Sequence, residues 1–357
     1  MNYINIDSKE YKHKYVIYDF IKKMNESHNK IKDKIKIIDD KFIKQKNKVD
    51  LSKYYRYLQR TNQLTDYAYS TIIFIDNKYM PGILCWAYHL KYVIKTPYNL
   101  ICLVQDRPYY ELDKLGNHFI KFPGLNENEI NDIKKVFDVV IGIDILSNNN
   151  NINIDLPIEH KNIYYYCTKI LCLGLIDYKK IIYLDSSIFV NLSIDHIFEN
   201  YNESSYYHHI FYDKSNRGLA SNYYIFIPQD YYLEKGLYII QNFVNLFTNY
   251  VSGHTTDEDI LFYTIYPHWG TKILENLSYG IFLLNTQHLI NNNYHLYPNM
   301  ANKQFRYPVS NNYNRFLFNN TYHTYNSWDE TVKKLVISYP ELNKYFEFIK
   351  TYRYTKF

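Results

Sequence analysis

The sequence has no long apolar run. None of its 357 residues lies in a stretch close to the roughly 18 to 20 consecutive apolar residues that a membrane-spanning helix requires. Residues 1–20 also lack the order of charged and then apolar residues that marks a signal peptide. Both absences indicate a soluble, globular, cytoplasmic protein.

Cysteine is scarce as well. The chain has 4 cysteines, Cys85, Cys102, Cys167 and Cys172, and each lies in an apolar run. This placement predicts reduced residues of the core. Cys167 and Cys172 do not form a CxxC pair, and no second cysteine pair accompanies them, which argues against a zinc site.

The chain carries little net charge. Its 41 Lys and Arg side chains against 36 Asp and Glu give +5, and its 43 tyrosines are spread along the chain instead of forming a basic and aromatic stripe. Nucleic acid is therefore not expected as a partner. No glycine-rich phosphate loop with a following Arg or Lys lies near the first predicted strand, which disfavours a nucleotidyltransferase.

Residues 1–66 contain neither glycine nor proline and are rich in Lys, Asp and Ile. This composition predicts a basic, helical N-terminal extension. Its charged face is either simply solvated or a surface that binds a partner, including a second copy of the chain in a homodimer.

From residue 67 the pattern changes. Short runs rich in β-branched and aromatic residues alternate with longer amphipathic segments, which predicts an α/β fold with a mostly parallel, Rossmann-like sheet flanked by helices. The predicted strands are STIIFID, YNLICLVQD, DVVIGIDI, KIIYLD and NYYIFIP, and the helices between them include MPGILCWAYHLKYVIK, ENEINDIKKVF and HKNIYYYCTKILCLGLIDYKK. No linker divides residues 67–330, which we predict to be one catalytic domain, followed by a helical C-terminal region at 331–357.

The segment KIIYLDSSIFVNLSIDHIFE brings Asp185 to the carboxyl end of an apolar strand, where ligands bind in open α/β sheets. It resembles the stretch of glycosyltransferase family 8, the glycogenin-like GT-A enzymes, in which Leu-Asp-x-Asp precedes an apolar strand; IDHIFE matches the tail of that stretch. The resemblance implies that Asp185, Ser186 and Ser187 bind the diphosphate of a UDP-sugar, and that Asp185 and Ser187 hold Mn²⁺ or Mg²⁺. Ser187 stands where the family has its second aspartate, so we expect weak metal binding. The alternative is an aspartate that merely ends a strand at a turn.

A second match lies upstream, in YAYSTIIFIDNKYMPG, where an apolar strand and a polar turn precede Tyr-x-x-Gly. In the family this turn holds uridine. The resemblance implies that Tyr79 stacks on the base, that Gly82 completes the motif, and that Ile73, Ile75 and Asp76 line the pocket. Ordinary core packing is the alternative for Tyr79.

Two further segments match elements that contact the donor sugar. CTKI resembles the Thr-Lys-Leu run before the metal-binding strand, which implies that Lys169 reaches the nucleotide sugar; a lysine extended to solvent at the helix edge is the alternative. HTTDEDILFYTI resembles an Asp-Gln element beneath the sugar, which implies catalytic roles for Asp257 and Glu258. Capping of a helix by Thr255 or Thr256 explains the same acidic residues structurally.

The segment TYHTYNSWDE resembles the family's histidine-containing stretch before a Trp, which implies that His323 is the third metal ligand. One departure lies in ASNYYIFIPQD, where the family usually has Asn-Ser-Gly. Only Asn222 is a remnant of it, and Tyr223 and Tyr224 replace small residues, which narrows the predicted sugar pocket.

Together these matches predict retaining transfer of a hexose from a UDP-sugar to a hydroxyl group on a glycan or protein. Catalysis would come from positioning and charge stabilisation, because the diphosphate is already a good leaving group. The departures at Ser187 and after Asn222 leave a second hypothesis open, a catalytically silent protein of the same fold that binds nucleotide sugars.

Overall fold

The structure is a computed structural model of the chain. It describes residues 40, 42, 50–74, 77–113, 115–146, 167–186, 188–190, 193–200, 223–241, 264, 296–298 and 322–347. Within these residues the chain forms a mixed α/β fold with a mostly parallel central sheet and helices on both faces. The predicted fold class is thereby confirmed.

The strands have the following bounds: β1 Arg56–Gln59, β2 Tyr67–Ile73, β3 Asn99–Gln105, β4 Tyr109–Leu112, β5 His118–Phe122, β6 Val139–Ile143, β7 Lys180–Leu184, β8 Ile188–Val190, β9 Tyr223–Phe226 and β10 Leu296–Pro298. Six of them form the central sheet in the order β1-β6-β3-β2-β7-β9. The four inner strands are parallel to one another, and the edge strands β1 and β9 are antiparallel to their neighbours. The two smaller sheets pair β4 with β5 and β8 with β10.

The inner strands form because their sequences are apolar on both faces. All described residues of β3, β6 and β7 are buried, as expected for parallel strands covered by helices on each side. In β2 the alternation is visible directly. Ala68 and Ile72 pack into the hydrophobic cluster of one face, whereas Tyr69 and Ile73 pack into the cluster of the other.

The helices have the following bounds: α1 Met80–Tyr88, continued by a π-helix at His89–Ile94, α2 Glu127–Lys134, α3 His196–Asn200, α4 Asp230–Gln241 and α5 Tyr322–Ser338, with 3-10 helices at Leu51–Lys53, Asn77–Tyr79, Thr168–Gly174 and Pro340–Tyr345. Helices α1, α2 and α5 contribute to the cluster on one face of the sheet. Helix α4 and the 3-10 helix Thr168–Gly174 contribute to the cluster on the other face. The predicted helices at 80–94 and within 127–137 are confirmed, and Pro81 lies in the first turn of α1 as predicted.

Two predicted elements differ from the structure. The prediction of helix for residues 1–66 is wrong at Arg56–Gln59, which form β1 and pair with β6. Arg56 forms hydrogen bonds with carboxylates at the ends of neighbouring strands, and these tertiary contacts outweigh the local preference for helix. The helix predicted around Cys167 is a 3-10 helix from Thr168 to Gly174. The prediction is wrong at residues 175–180, which form turns and the start of β7, and residues 160–166 lie outside the described part. The division into three regions stays a prediction.

The cysteines are as predicted, because all four are buried and unbridged. Burial raises the pKa of the Cys172 thiol to about 12, while the Ser70 hydroxyl and the charge of Lys169 act in the opposite direction. The thiol is therefore neutral at physiological pH. Among the described residues, no helix combines the length and the apolar character that crossing a membrane requires.

Candidate active site

The order of the strands reverses at β2 and β7, and we call the carboxyl edge of this pair the crevice. The chain passes from β2 to β3 and β6 on one side, and then returns to place β7 on the other side of β2. In open α/β sheets, ligands bind outside the carboxyl ends of the strands at such a reversal. β2 and β7 are parallel neighbours that end at Ile73 and Leu184, so the segments that follow them begin at this point.

The turn after β2 carries the predicted nucleotide-binding residues. Tyr79 ends the 3-10 helix that leads into α1, and its half-buried ring packs against the cluster on the α1 face. Gly82 is buried within α1, and Ile73 is 1% exposed in the same cluster. Ile75 and Asp76 lie outside the described residues. The structure thus places Tyr79 in the turn between β2 and α1 with its side chain partly exposed, and its stacking role stays a prediction.

A pair of side chains that sequence reasoning missed holds this turn. Asn77 Nδ2 donates a hydrogen bond to Glu129 Oε1 at 2.5 Å. The other carboxylate oxygen of Glu129 accepts a bond from the Asn126 backbone N–H at 2.9 Å, and Asn126 Oδ1 accepts one from the Glu129 N–H at 3.0 Å. This capping box at the start of α2 is visible in the sequence as Asn-x-x-Glu. The hydrogen bond between Glu129 and Asn77 is not visible in the sequence, because the two residues meet only in the folded chain.

At the carboxyl end of β7 the structure brings together three of the predicted residues. Asp185 is the first residue after the strand, and Lys169 Nζ lies 3.5 Å from Asp185 Oδ2. The exposed fractions of the two side chains are 14% and 19%, so the pair is sheltered but reachable. Ser186 Oγ donates to Asp185 Oδ1 at 3.4 Å. Lys169 is therefore not a lysine extended into solvent; it faces a carboxylate at the edge of the sheet.

The position of Lys169 follows from the packing of its helix. Ile170 and Leu171 are 2% and 0% exposed in the cluster that α4 covers, which leaves Lys169 on the side toward the strand ends. Thr168 Oγ1 accepts a hydrogen bond from the Leu146 backbone N–H at 3.1 Å, which ties this short helix to the segment after β6. Lys169 thus extends from a short helix whose neighbouring residues are buried.

The described residues do not by themselves fit a divalent cation. They contain no group of three or more His, Cys, Asp or Glu side chains that could hold a metal ion. Asp185 supplies one carboxylate, and the Lys169 ammonium lies close to one oxygen of that carboxylate. His323 lies in the first turn of α5, but its side chain and all of Ser187 are outside the described residues. Binding of Mn²⁺ or Mg²⁺ therefore stays a prediction.

The remaining predicted residues are also outside the described part of the chain. These are Asp257 and Glu258, so neither the catalytic interpretation nor the capping one is tested. Tyr223 and Tyr224 lie in strand β9, and their side chains are not described. Trp328, from the matched segment near His323, is 2% exposed and lies edge-on to Phe346 with ring centroids 6.1 Å apart.

A second charged cluster at the same edge of the sheet was not anticipated. The Arg56 guanidinium, from β1, donates two hydrogen bonds to Asp106 at 2.5 and 3.2 Å and two to Asp144 at 3.0 Å. Asp106 and Asp144 directly follow β3 and β6. Position 142 favours glycine, because a Cβ atom there would clash with the Asp106 carboxylate. The sequence shows an aspartate after each of these strands, but it does not reveal that Arg56 joins the two.

No protein-family model matches the chain. The uncharacterized protein R707 of Acanthamoeba polyphaga mimivirus is 28% identical over 136 residues, which make up 38% of this chain and 41% of that protein. The chain thus matches less than half the length of this relative.

Two solved structures are similar, both of the glycosyltransferase GlyE of Streptococcus pneumoniae TIGR4. One has a TM-score of 0.36 and 12% identity, and the match covers 58% of this chain and 45% of that one. The other, its apo form, has a TM-score of 0.34 and 14% identity and covers 55% of this chain and 42% of that one. TM-scores this low do not support an inference about function.

Proposed function

We propose that the protein is a glycosyltransferase that moves a hexose from a UDP-sugar to a hydroxyl group of a glycan or protein, with retention of configuration. The observation that carries the proposal is the Lys169–Asp185 pair at the strand reversal. The sequence resemblance had assigned both residues to the donor site from separate motifs. Their meeting at the edge where ligands bind in such sheets supports that assignment.

The donor would span the crevice between the two strand ends. The uracil base stacks on the accessible part of Tyr79, whose turn Asn77 and Glu129 hold in place. The diphosphate extends toward Lys169, Asp185 and Ser186. Because Ser186 is 7% exposed, its contribution is to orient Asp185 more than to bind the ligand directly.

In the reaction, the bond between the anomeric carbon and the diphosphate oxygen breaks, and its electron pair stays on the phosphate oxygen of UDP. The acceptor hydroxyl oxygen forms the new bond to the anomeric carbon, and its proton leaves with the departing phosphate. The Lys169 ammonium lies where negative charge develops on the leaving group, which is where a fixed charge lowers a barrier most. Asp257 and Glu258 are proposed to orient the sugar.

The resemblance adds a divalent cation, Mn²⁺ or Mg²⁺, held by Asp185, Ser187 and His323. When bound, such a cation would neutralise charge on the diphosphate. Of its three proposed ligands only Asp185 has a described side chain, and that side chain faces a lysine. No step of the reaction is therefore assigned to the metal.

The test is UDP release from a panel of UDP-hexoses, measured with and without a mixture of hydroxyl acceptors. The proposal predicts turnover of at least one donor by the wild type and its loss in Asp185→Asn, a substitution that keeps the shape of the side chain and removes its charge. Donor binding without any turnover would favour the silent nucleotide-sugar-binding protein. No binding of any UDP-sugar would refute both.

A further inference from the structure

We infer that Tyr55, in the segment that leads into β1, is a positioning residue of the donor site, because its side chain fixes the short helix from which Lys169 extends. The inference rests on the proposed function and adds to it a residue of the N-terminal region. The sequence pattern suggests only a solvated face or a partner-binding surface for residues 1–66. The observation that carries the inference is a hydrogen bond of 2.5 Å, which the Tyr55 hydroxyl donates to the Leu171 backbone carbonyl.

The helix that carries Lys169 is of a kind that needs outside support. It is a 3-10 helix of 7 residues, Thr168–Gly174. Such helices seldom exceed about three or four residues, because their hydrogen bonds have poor geometry. Its first residue accepts the hydrogen bond from the segment after β6, and near its end the Gln229 backbone N–H donates to the Leu173 carbonyl at 3.3 Å. The Tyr55 hydroxyl adds a third attachment, two residues after Lys169.

Gly174, the last residue of this helix, provides the space for the Tyr55 hydroxyl. A Cβ atom at position 174 would clash with the hydroxyl oxygen and with Leu233 Cδ2. The tyrosine ring packs against the same hydrophobic cluster as the helix. Burial raises the pKa of Tyr55 well above its ordinary value of 10.0, so the hydroxyl keeps its proton and is a donor at physiological pH. The fit of the ring and the protonation of the hydroxyl both favour a persistent hydrogen bond.

Strand β1 holds Tyr55 at the edge of the sheet where the donor site lies. β1 is antiparallel to β6, and its first residue pairs with Gly142, next to the carboxyl end of β6. The Gln59 side chain fixes the other end of β1, because its amide donates to the Phe137 carbonyl at 2.8 Å. Tyr55 is thus anchored by the pairing of β1 and connects the sheet to the helix.

The first test is hydrogen exchange of backbone amides in the full chain without ligand. The proteins are the wild type, Tyr55→Phe and the control Tyr57→Phe, which removes a nearby exposed hydroxyl that donates to Asp177 at 3.0 Å. Tyr55→Phe keeps the ring and removes one hydrogen bond, so exchange within residues 168–175 should become about fivefold faster. Exchange in β3 should not change, and Tyr57→Phe should match the wild type in residues 168–175.

The second measurement is binding of UDP and of uridine to the same proteins by calorimetry. Tyr55→Phe should weaken UDP binding by about fivefold and leave uridine binding unchanged, because the helix that it holds is assigned to the diphosphate and not to the base. A purely structural role would change the affinities for both ligands alike. Tyr57→Phe should bind both ligands like the wild type.

A double-mutant cycle with Gly174→Ala tests the contact itself. In the wild-type background the added methyl group clashes with the Tyr55 hydroxyl and should speed exchange in the helix. In the Tyr55→Phe background that oxygen is gone, so the effect of Gly174→Ala on exchange should be about fivefold smaller. Equal effects of Gly174→Ala in the two backgrounds would show that the hydroxyl does not hold the helix, and would overturn the inference.

The two measurements separate failure of the inference from failure of the proposed function. If the wild type binds UDP but Tyr55→Phe leaves exchange in residues 168–175 unchanged, the inference alone fails. Faster exchange with unchanged UDP affinity, or an equal loss of UDP and uridine binding, would show that Tyr55 is structural and not a positioning residue. If the wild type binds no UDP, the proposed function fails and the inference fails with it.

Discussion

Two clusters of cations and carboxylates lie at the carboxyl edge of the same sheet, and their geometry differs. The Arg56 guanidinium makes four hydrogen bonds of 2.5 to 3.2 Å to Asp106 and Asp144. Lys169 Nζ lies 3.5 Å from Asp185 Oδ2, which is a longer contact. The planar fork of an arginine suits two carboxylates at once, whereas an ammonium can turn toward a new partner. Arg56 therefore joins strand ends of the sheet, whereas the Lys169–Asp185 pair is the one that the proposed function assigns to the donor.

The largest expected effect tests the structural side of this comparison. Arg56→Met should lower the free energy of unfolding by roughly 2 kcal/mol, because it leaves the sheltered Asp106 carboxylate, 11% exposed, without its counter-charge, while Asp144, at 44% exposed, contributes little. UDP affinity should be unchanged in the folded fraction. Urea unfolding and calorimetry measure the two quantities.

The control for Arg56 is another arginine of the same segment. Arg60 pairs with Asp177 at 3.0 Å, but the exposed fractions of the two side chains are 45% and 39%. Arg60→Met should change the unfolding free energy by no more than about 0.5 kcal/mol. Equal effects of the two substitutions would contradict the view that the Arg56 cluster is a structural clamp.

The next effect concerns the other end of the crevice. Tyr79→Ala should weaken UDP binding by about tenfold, since a stacked aromatic ring is worth on the order of 1 kcal/mol or more. Tyr79→Phe keeps the ring and should bind UDP like the wild type. If alanine and phenylalanine variants bind UDP equally well, Tyr79 belongs to the core alone.

A smaller effect is expected from the residue that holds the Tyr79 turn. Asn77→Ala removes the hydrogen bond to Glu129 and should lower UDP affinity by about fivefold, equivalent to about 1 kcal/mol. Asn126→Ala removes the helix cap on the other side of Glu129 and should reduce stability by about 1 kcal/mol with little change in UDP affinity. Identical profiles for the two variants would exclude a positioning role for Asn77.

Much of this edge of the sheet was predictable from the sequence, because local sequence patterns determine it. The inner strands are continuous apolar runs that the sequence shows directly. Asp185 follows such a run and Lys169 lies in one, so the formation of these elements brings both residues to the edge of the sheet. Strand β1 was missed because four residues carry too weak a pattern, and its stability comes from β6 and from Arg56. The Asn77–Glu129 bond joins residues 52 positions apart, which no local pattern reveals.

The last prediction concerns Asp132 in α2 and serves as a contrast in pH dependence. Burial acts to raise the pKa of Asp132, but hydrogen bonds from Lys135, Lys344 and Tyr345 outweigh it and hold the pKa below its ordinary value of 3.8. Because the folded-state pKa is depressed, this stabilisation is present above that value and is lost as the pH falls through the lowered pKa.

Asp132→Asn should therefore cost about 1 kcal/mol of unfolding free energy at neutral pH. The difference from the wild type should shrink in acid, as chemical unfolding at several pH values would reveal. A difference that does not depend on pH would show that the carboxylate charge of Asp132 contributes nothing to the attachment of the C-terminal 3-10 helix.

The most direct test of the account is a crystal structure of the wild type with UDP. The account predicts uracil against Tyr79 and the diphosphate within hydrogen-bonding distance of Lys169, between the carboxyl ends of β2 and β7. UDP bound elsewhere on the sheet, or a diphosphate that turns away from Lys169, would contradict it.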